Sequence, residues 1–221
     1  MKQSEWLPFY EAISVDFGYL KERDLECARL LESFLEPPIL DRLEALISGR
    51  VVNVFGSGPS LEKLKSIPDG INIACDGASS FLLENGVVPD IIVTDLDGRI
   101  DDLLSANREG AFIVLHAHGD NFDPVAKYAP RFNNLYGTTQ TEAFGNLLNF
   151  GGFTDGDRAV FLAEHFKPNF IKLYGMDFDS LPGRYSFTEP DAVEVKKKKL
   201  GWAKKLVDYI IVNSAVKIEF V

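Results

Sequence analysis

Apolar positions along the chain fall into two periods. Through residue 48 they recur at helical spacing: Leu25, Ala28, Leu31 and Leu35, then Leu40, Leu43 and Leu46/Ile47. Pro37-Pro38 separates these two helices. From Val51 the period changes, and Val51-Val52-Asn53-Val54-Phe55 reads as a strand buried in a parallel sheet. Further strands are predicted at Ile71–Cys75, Asp90–Thr94, Ala111–Leu115, Asn133–Tyr136, Phe170–Tyr174, Tyr209–Asn213 and Val216–Phe220. Helices are predicted from Ser60 onward, over Ser79–Glu84, over Arg158–His165 and over Asp191–Leu206. This alternation predicts an α/β, Rossmann-like, mostly parallel sheet flanked by helices. Residues 1–48 form a helical N-terminal segment that packs on the α/β domain of residues 49–221.

Charge narrows the partners. The 221 residues carry a formal net charge of −10, and the N-terminal segment alone holds ten acids against five bases. Such a balance argues against binding nucleic-acid phosphates, which needs clustered Lys and Arg. It leaves room for a small anionic substrate, because a bound cation inverts the local sign. A chain of this length, 46% apolar, buries roughly 70–75% of its unfolded surface and needs no disulfide staples. Cys27 and Cys75 stand alone without a CxxC, which predicts neither a disulfide framework nor a zinc site and suits a cytoplasmic protein. No signal peptide and no apolar run of about 20 residues is present, so no membrane partner is expected. Oligomeric state stays open, a homodimer included.

The polar clusters change the picture more. In open parallel sheets ligands bind beyond the carboxyl ends of the strands. Six clusters fall at strand ends or helix starts: Gly56-Ser57-Gly58-Pro59-Ser60, Asp76-Gly77-Ala78-Ser79, Asp95-Leu96-Asp97-Gly98, His116-Ala117-His118-Gly119-Asp120-Asn121, Thr154-Asp155-Gly156-Asp157-Arg158 and Gly175-Met176-Asp177. The glycine turn would let backbone approach an anion, with a helix N-terminus behind it; a plain strand-to-helix turn is the bland alternative. Asp95 and Asp97, two apart on extended chain, face one side and repel unless a cation lies between them. Turn capping is their structural alternative, and Asp155 or Asp157 could equally be an N-cap. Arg158 near a helix start is unfavourable against the macrodipole unless it meets an anion. His116 and His118 could bind phosphate, stack on a base or pair with Asp120. In the helix begun by Asp191, with Glu194 as a capping-box partner, Val195 and Trp202 mark the buried face. Lys198 and Lys199 share that side and reach either the rim or a polyphosphate.

Together, Asp76-Gly77-Ala78-Ser79, Gly86, Pro89-Asp90-Ile91-Ile92, Asp95-Leu96-Asp97-Gly98 and Thr154-Asp155 resemble thiamine pyrophosphokinases. The chain departs from that pattern at Ala78, where a glycine is usual, and at Gly98, where a serine is usual. Too little sequence remains for the thiamine-binding β-domain. With the glycine turn, the His116–Asn121 segment and Gly152–Arg158 added, the chain is more similar to the archaeal 6-hydroxymethyl-7,8-dihydropterin pyrophosphokinases of the MptE-like type, over about residues 50–215. The resemblance implies a nucleotide-binding catalytic domain that transfers diphosphate from ATP to a reduced pterin with Mg2+. It implies Asp76, Asp95, Asp97 and Asp155 as Mg2+ ligands, and Gly56, Ser57, Gly58, Pro59, Ser60, Gly77, Thr154, Asp157, Arg158 and Lys199 as nucleotide contacts.

Such a transfer asks for in-line placement and charge neutralisation. Asp95 and Asp97 would serve catalysis, and Asp120 or His118 would orient the substrate hydroxyl or take its proton. His116, Asn121 and Asp177 are the candidate pterin contacts. Three rivals compete. A nicotinamide-dependent dehydrogenase would use Gly56, Gly58 and Asp76 as its fingerprint, but leaves the Asp95/Asp97 pair without a job. A nucleotide-sugar glycosyltransferase of the sialyltransferase kind would bind its nucleotide at the Gly-x-Gly-Pro-Ser-Leu turn. A nucleotide-sensing module would bind without turnover.

Overall fold

The computed structural model describes residues 1–221, the side chain of Pro190 excepted. Three helices come first: α1 (Gln3–Phe17), α2 (Lys21–Glu32) and α3 (Leu40–Ile47). The strands are β1 (Val51–Phe55), β2 (Ile71–Cys75), β3 (Ile91–Thr94), β4 (Phe112–Ala117), β5 (Leu135–Thr139), β6 (Phe170–Tyr174) and β7 (Lys217–Phe220). Between them lie α4 (Ala78–Glu84), α5 (Ile100–Arg108), α6 (Phe122–Tyr128), α7 (Asp155–His165) and α8 (Val193–Asn213). The strands form one sheet in the order β5-β4-β3-β2-β1-β6-β7, parallel at every pairing. The order reverses between β1 and β6, where a doubly wound sheet opens its ligand crevice.

Strand alternation sorts the core into two layers. Val52, Val54, Ile71, Ile73, Ile91 and Val93 face a cluster shared with α1, α3, α7 and α8. Phe55, Ala74, Ile92, Ile113 and Leu115 face a second cluster shared with α2, α4, α5 and α6. The first three helices therefore divide between the two faces. Trp6 donates its indole N–H to the Gln140 carbonyl at 2.7 Å, fastening α1 beyond the end of β5.

Several elements depart from the periodicity reading. Tyr209–Asn213 is not a strand but the last turns of α8. Its β-branched residues invite a strand assignment, yet Ala203, Leu206, Val207 and Ile210 are buried at helical spacing while Val212 is exposed. The start of that helix is corrected too. It begins at Val193 after a 3-10 turn over Pro190–Ala192, without a side-chain cap. Val195 is 51% exposed, so it does not mark a buried face. The stretch after Gly58 is a five-residue 3-10 turn, Pro59–Lys63, rather than an α-helix. Helices α5 and α6 lie where the apolar pattern predicts no helix. Both cysteines are buried and free. Among the described residues no helix is long and apolar enough to cross a membrane.

Candidate active site

Two cavities open at the carboxyl edge of the sheet and meet. The first, about 200 Å³, lies between the α1–α2 turn and the ends of β3 and β4; its lining includes Tyr19, Arg23, Asp95, His118, Asp120, Gln140, Phe153 and Lys199. The second, about 90 Å³, lies at the reversal between β1 and β6; its lining includes Gly56, Ser57, Gly58, Asp76, Gly77, Met176 and Asp177. Asp97, Thr154, Asp155 and Lys196 line both.

Acids dominate the junction. Asp76, Asp95 and Asp97 each offer an oxygen within 4.8 Å of the others. Backbone geometry builds this cluster. Asp76 and Leu96 sit at positive φ, 43° and 71°, so the chain from Asp95 to Asp97 is a left-handed turn rather than the extended segment its spacing suggested. Leu96 plugs into the core below. A side chain at Gly98 would collide with the Asp76 carboxylate, which accounts for glycine there. Thr94 donates its hydroxyl to Asp76. Burial, then the neighbouring Asp97 and Asp95 charges, push the Asp76 carboxyl far above the ordinary carboxylate range. Burial and Asp95 raise Asp97 as well. Asp155 is raised by burial and by all three neighbours. Burial works against Asp95 too, but the His118 hydrogen bond and Lys199 and Lys196 outweigh it and hold that carboxyl below its usual range. Asp95 Oδ1 is buried without a hydrogen-bond partner among the described residues. An all-oxygen set with an orphaned carboxylate oxygen fits a hard cation such as Mg2+.

His118 is held on both sides. Its Nε2 lies 3.2 Å from Asp95 Oδ2, and its Nδ1 accepts the Asp120 N–H at 3.2 Å. That pair of bonds describes an Nε2–H ring whose two nitrogens are both engaged. Asp120 itself is exposed at the rim. His116 is buried, with Nδ1 beside Thr138 Oγ1 and Nε2 receiving Arg158 Nη2 at 3.1 Å. Burial and the Arg158 charge depress its basicity.

Other sequence candidates are spent inside the fold. Asn121 is 4% exposed and lines neither cavity. Its Nδ2 donates to the carbonyls of Asp95 (2.8 Å) and His116 (2.7 Å), and its Oδ1 accepts the His118 N–H (2.9 Å) and the Cys27 thiol (3.3 Å). It ties the ends of β3 and β4 together instead of meeting substrate. Asp157 is likewise a cap: its carboxylate accepts the N–H groups of Phe153 and Thr154 at the start of α7. Arg158 is 1% exposed and lines neither cavity; its guanidinium meets the Gly151 carbonyl and His116, and the charges of Asp157, Asp155 and Asp95 favour its protonated form from beyond ion-pair distance. Pro59 and Ser60 line neither cavity. Asp177 does line the second, while one of its oxygens accepts the Ser60 N–H at 2.7 Å. The glycines of the first turn also have an internal reason, because a Cβ at Gly56 or Gly58 would strike the Gly175 carbonyl. The amides of Gly56 and Gly58 are taken by Tyr174 and Gly175. Those of Ser57 and Gly77 have no acceptor among the described residues.

The lysine run divides by face. Lys197 pairs with Glu194 and Lys198 with Asp16, both outside the cavities. Lys196 and Lys199, three apart, point at the acids. The sequence pattern points to Lys199 but not to Lys196, which lines both cavities.

The family model for MptE-like 6-hydroxymethylpterin diphosphokinases matches residues 27–182. The chain belongs to that family. It is 43% identical to the 6-hydroxymethyl-7,8-dihydropterin pyrophosphokinase of Methanocaldococcus jannaschii, over 100% of this chain and 99% of that one. The proteins of the same name from Methanothermobacter thermautotrophicus and Pyrococcus furiosus are 43% and 45% identical, each over 99% of this chain and 99% and 98% of their own. A solved structure, the MAf glycosyltransferase of Magnetospirillum magneticum AMB-1, aligns with 85% of this chain at a TM-score of 0.43 and 21% identity; the chain spans about a third of it, 31%.

A member of an enzyme family thus carries its acids where two cavities meet. What motif reading missed is the N-terminal wall: Tyr19, Arg23 and Asp24 come from the acidic helical segment, and Gln140 from the loop after β5. The acidic, motif-free stretch offered no signal for them beyond the aromatic and basic residues themselves.

Proposed function

We propose that the protein transfers the diphosphate of ATP to the hydroxymethyl group of 6-hydroxymethyl-7,8-dihydropterin, releasing AMP, with Mg2+ held by Asp76, Asp95 and Asp97 and with Asp155 beside them. The observation that carries this reading is the cluster of carboxylates, from buried Asp76 to exposed Asp97, at the junction of two cavities, in a chain whose relatives bear that enzyme name. When bound, Mg2+ would neutralise charge on the phosphate oxygens and polarise phosphorus.

The remaining work falls to the chain's own groups. The pterin hydroxyl oxygen forms a bond to the β-phosphorus. The bond from that phosphorus to the α–β bridging oxygen breaks, and the bridging oxygen leaves with AMP. Both His118 nitrogens are engaged, so His118 positions Asp95, and the Asp120 carboxylate receives the hydroxyl proton. Lys196 and Lys199 supply fixed positive charge for the transferred group. The free N–H groups of Ser57 and Gly77 receive phosphate oxygens.

The test is incubation of the protein with Mg2+, ATP and the reduced hydroxymethylpterin, followed by nucleotide separation. AMP should appear mole for mole with the pterin diphosphate, and omission of Mg2+ should abolish it. ADP as the nucleotide product would overturn the reading.

A further inference from the structure

We propose that the two cavities divide the substrates, with the pterin ring in the first, against Tyr19 and Phe153 and with its edge read by Gln140, and the nucleoside in the second. This rests on the reading above and assigns what that reading leaves open.

The placement of the proton acceptor decides the direction. Asp120, with the His118–Asp95 pair beside it, lines the first cavity and not the second. The attacking hydroxyl must lie within hydrogen-bond reach of that group, so its ring lies there too. The cavity also has a wall suited to a flat ring. Tyr19 stacks on Phe17 at 5.3 Å, and Phe153 packs on the same Phe17 at 5.4 Å, so the aromatic side is braced from behind.

Gln140 provides a fixed reader. It is 4% exposed, and its Nε2 donates to Asp24 Oδ2 at 2.7 Å. Asp24 is itself immobilised by the Tyr10 hydroxyl and the Gly119 N–H, both at 2.8 Å. The amide cannot flip without losing that bond, so Oε1, which lies toward the His116 ring, is the one acceptor atom Gln140 can share with a ligand through its second lone pair. A pterin presents an amino group and a ring N–H side by side, an edge that requires acceptors.

The second cavity has the opposite character. Ser57 and Gly77, whose amides have no acceptor among the described residues, line it. So do the apolar side chains of Met176, Phe178, Leu181 and Leu200. Leu181 stands 61% exposed there, an apolar side chain that a nucleoside base would cover. The shared residues Asp97, Thr154, Asp155 and Lys196 then lie where the diphosphate passes from one substrate to the other.

Binding of each substrate alone tests the assignment. The full-length protein is titrated with 6-hydroxymethylpterin by its own fluorescence, and separately with Mg2+ and α,β-methylene-ATP by calorimetry. Tyr19→Ala should weaken pterin binding and raise the pterin KM tenfold or more, the scale of a lost stacking partner, while nucleotide binding stays within twofold. Leu181→Asp should do the reverse. Thermal melting establishes that each variant is folded, and Phe153→Leu replaces Tyr19→Ala should that variant melt early. Loss of nucleotide binding in Tyr19→Ala with pterin binding intact, or equal loss of both, overturns the assignment while leaving the reaction standing. A wild-type protein that makes no AMP from ATP and the pterin overturns the reaction itself, and the assignment with it.

Discussion

Replacing Asp76 by Asn should stabilise the metal-free protein and destroy its response to Mg2+. The three carboxylates offer oxygens within 4.8 Å of one another. Two unit charges at that separation repel by about 3.5 kcal/mol at an effective dielectric of about 20. The folded protein escapes part of this by protonation, since burial and the adjacent acids raise Asp76 far above its ordinary value. Holding a proton at pH 7 on a group that otherwise titrates near 3.9 costs at most about 4 kcal/mol. Asn keeps the size of the side chain, keeps an oxygen for the Thr94 hydroxyl and tolerates the left-handed backbone at φ 43°. The variant should therefore gain about 1–3 kcal/mol, or about 2–10 °C in Tm for a chain of this size. The pH dependence has a defined sign. A carboxyl whose folded pKa is raised destabilises only above its unfolded value, so the gain should vanish below about pH 4 and grow as pH rises toward neutrality. Melting with Mg2+ supplies the second half of the assay. At a hundredfold excess over Kd the wild type should gain about 2.7 kcal/mol, and the variant a small fraction of that. A variant that melts lower than wild type without metal and still responds fully to Mg2+ would refute the argument.

Three further outcomes follow from single contacts. Asn121→Ala removes two donors and an acceptor from backbone partners at the ends of β3 and β4, so urea unfolding should show a loss of about 3 kcal/mol, with kcat reduced more than KM because those ends lose their tie. Gly98→Ala places a methyl against the Asp76 carboxylate and should abolish the Mg2+-dependent Tm shift while circular dichroism stays native. Lys196→Ala should lower kcat by about ten- to a hundredfold, on the scale of a lost charge-stabilising donor, whereas Lys198→Ala, which breaks an exposed pair with Asp16, should leave kcat alone and move Tm little, because exposed pairs are weak.

The legible parts of this protein share a cause. Parallel strands buried on both faces must be short apolar runs, and a doubly wound sheet must gather its ligands at the carboxyl ends of those runs. Each polar cluster could therefore be placed before any contact was known, and the acids of β2, β3 and α7 do converge. Reading failed where a tertiary partner decided the outcome. Tyr209–Asn213 has strand-forming residues, but the buried row from Ala203 to Ile210 keeps the helix going. Asp157 and Asp155 look alike in sequence. Only the turn at Thr154 makes one a cap and leaves the other facing the cavities.

The N-terminal segment is the sharpest instance, because its acids carry two meanings at once. Most are solvated, as the excess of acids over bases suggests. Asp24 is not. It is buried, and its two oxygens hold Tyr10 of α1, Gly119 after β4 and Gln140 after β5. The Asp24–Gly119 and Asp24–Gln140 bonds span 95 and 116 residues, separations at which no periodicity or motif spacing carries information. Packing alone reveals that an acid in a motif-free helix fixes the loop that positions His118, and through His118 the carboxylate of Asp95. By this chain of bonds the helical segment, which carries no motif, takes part in the geometry of the acid cluster.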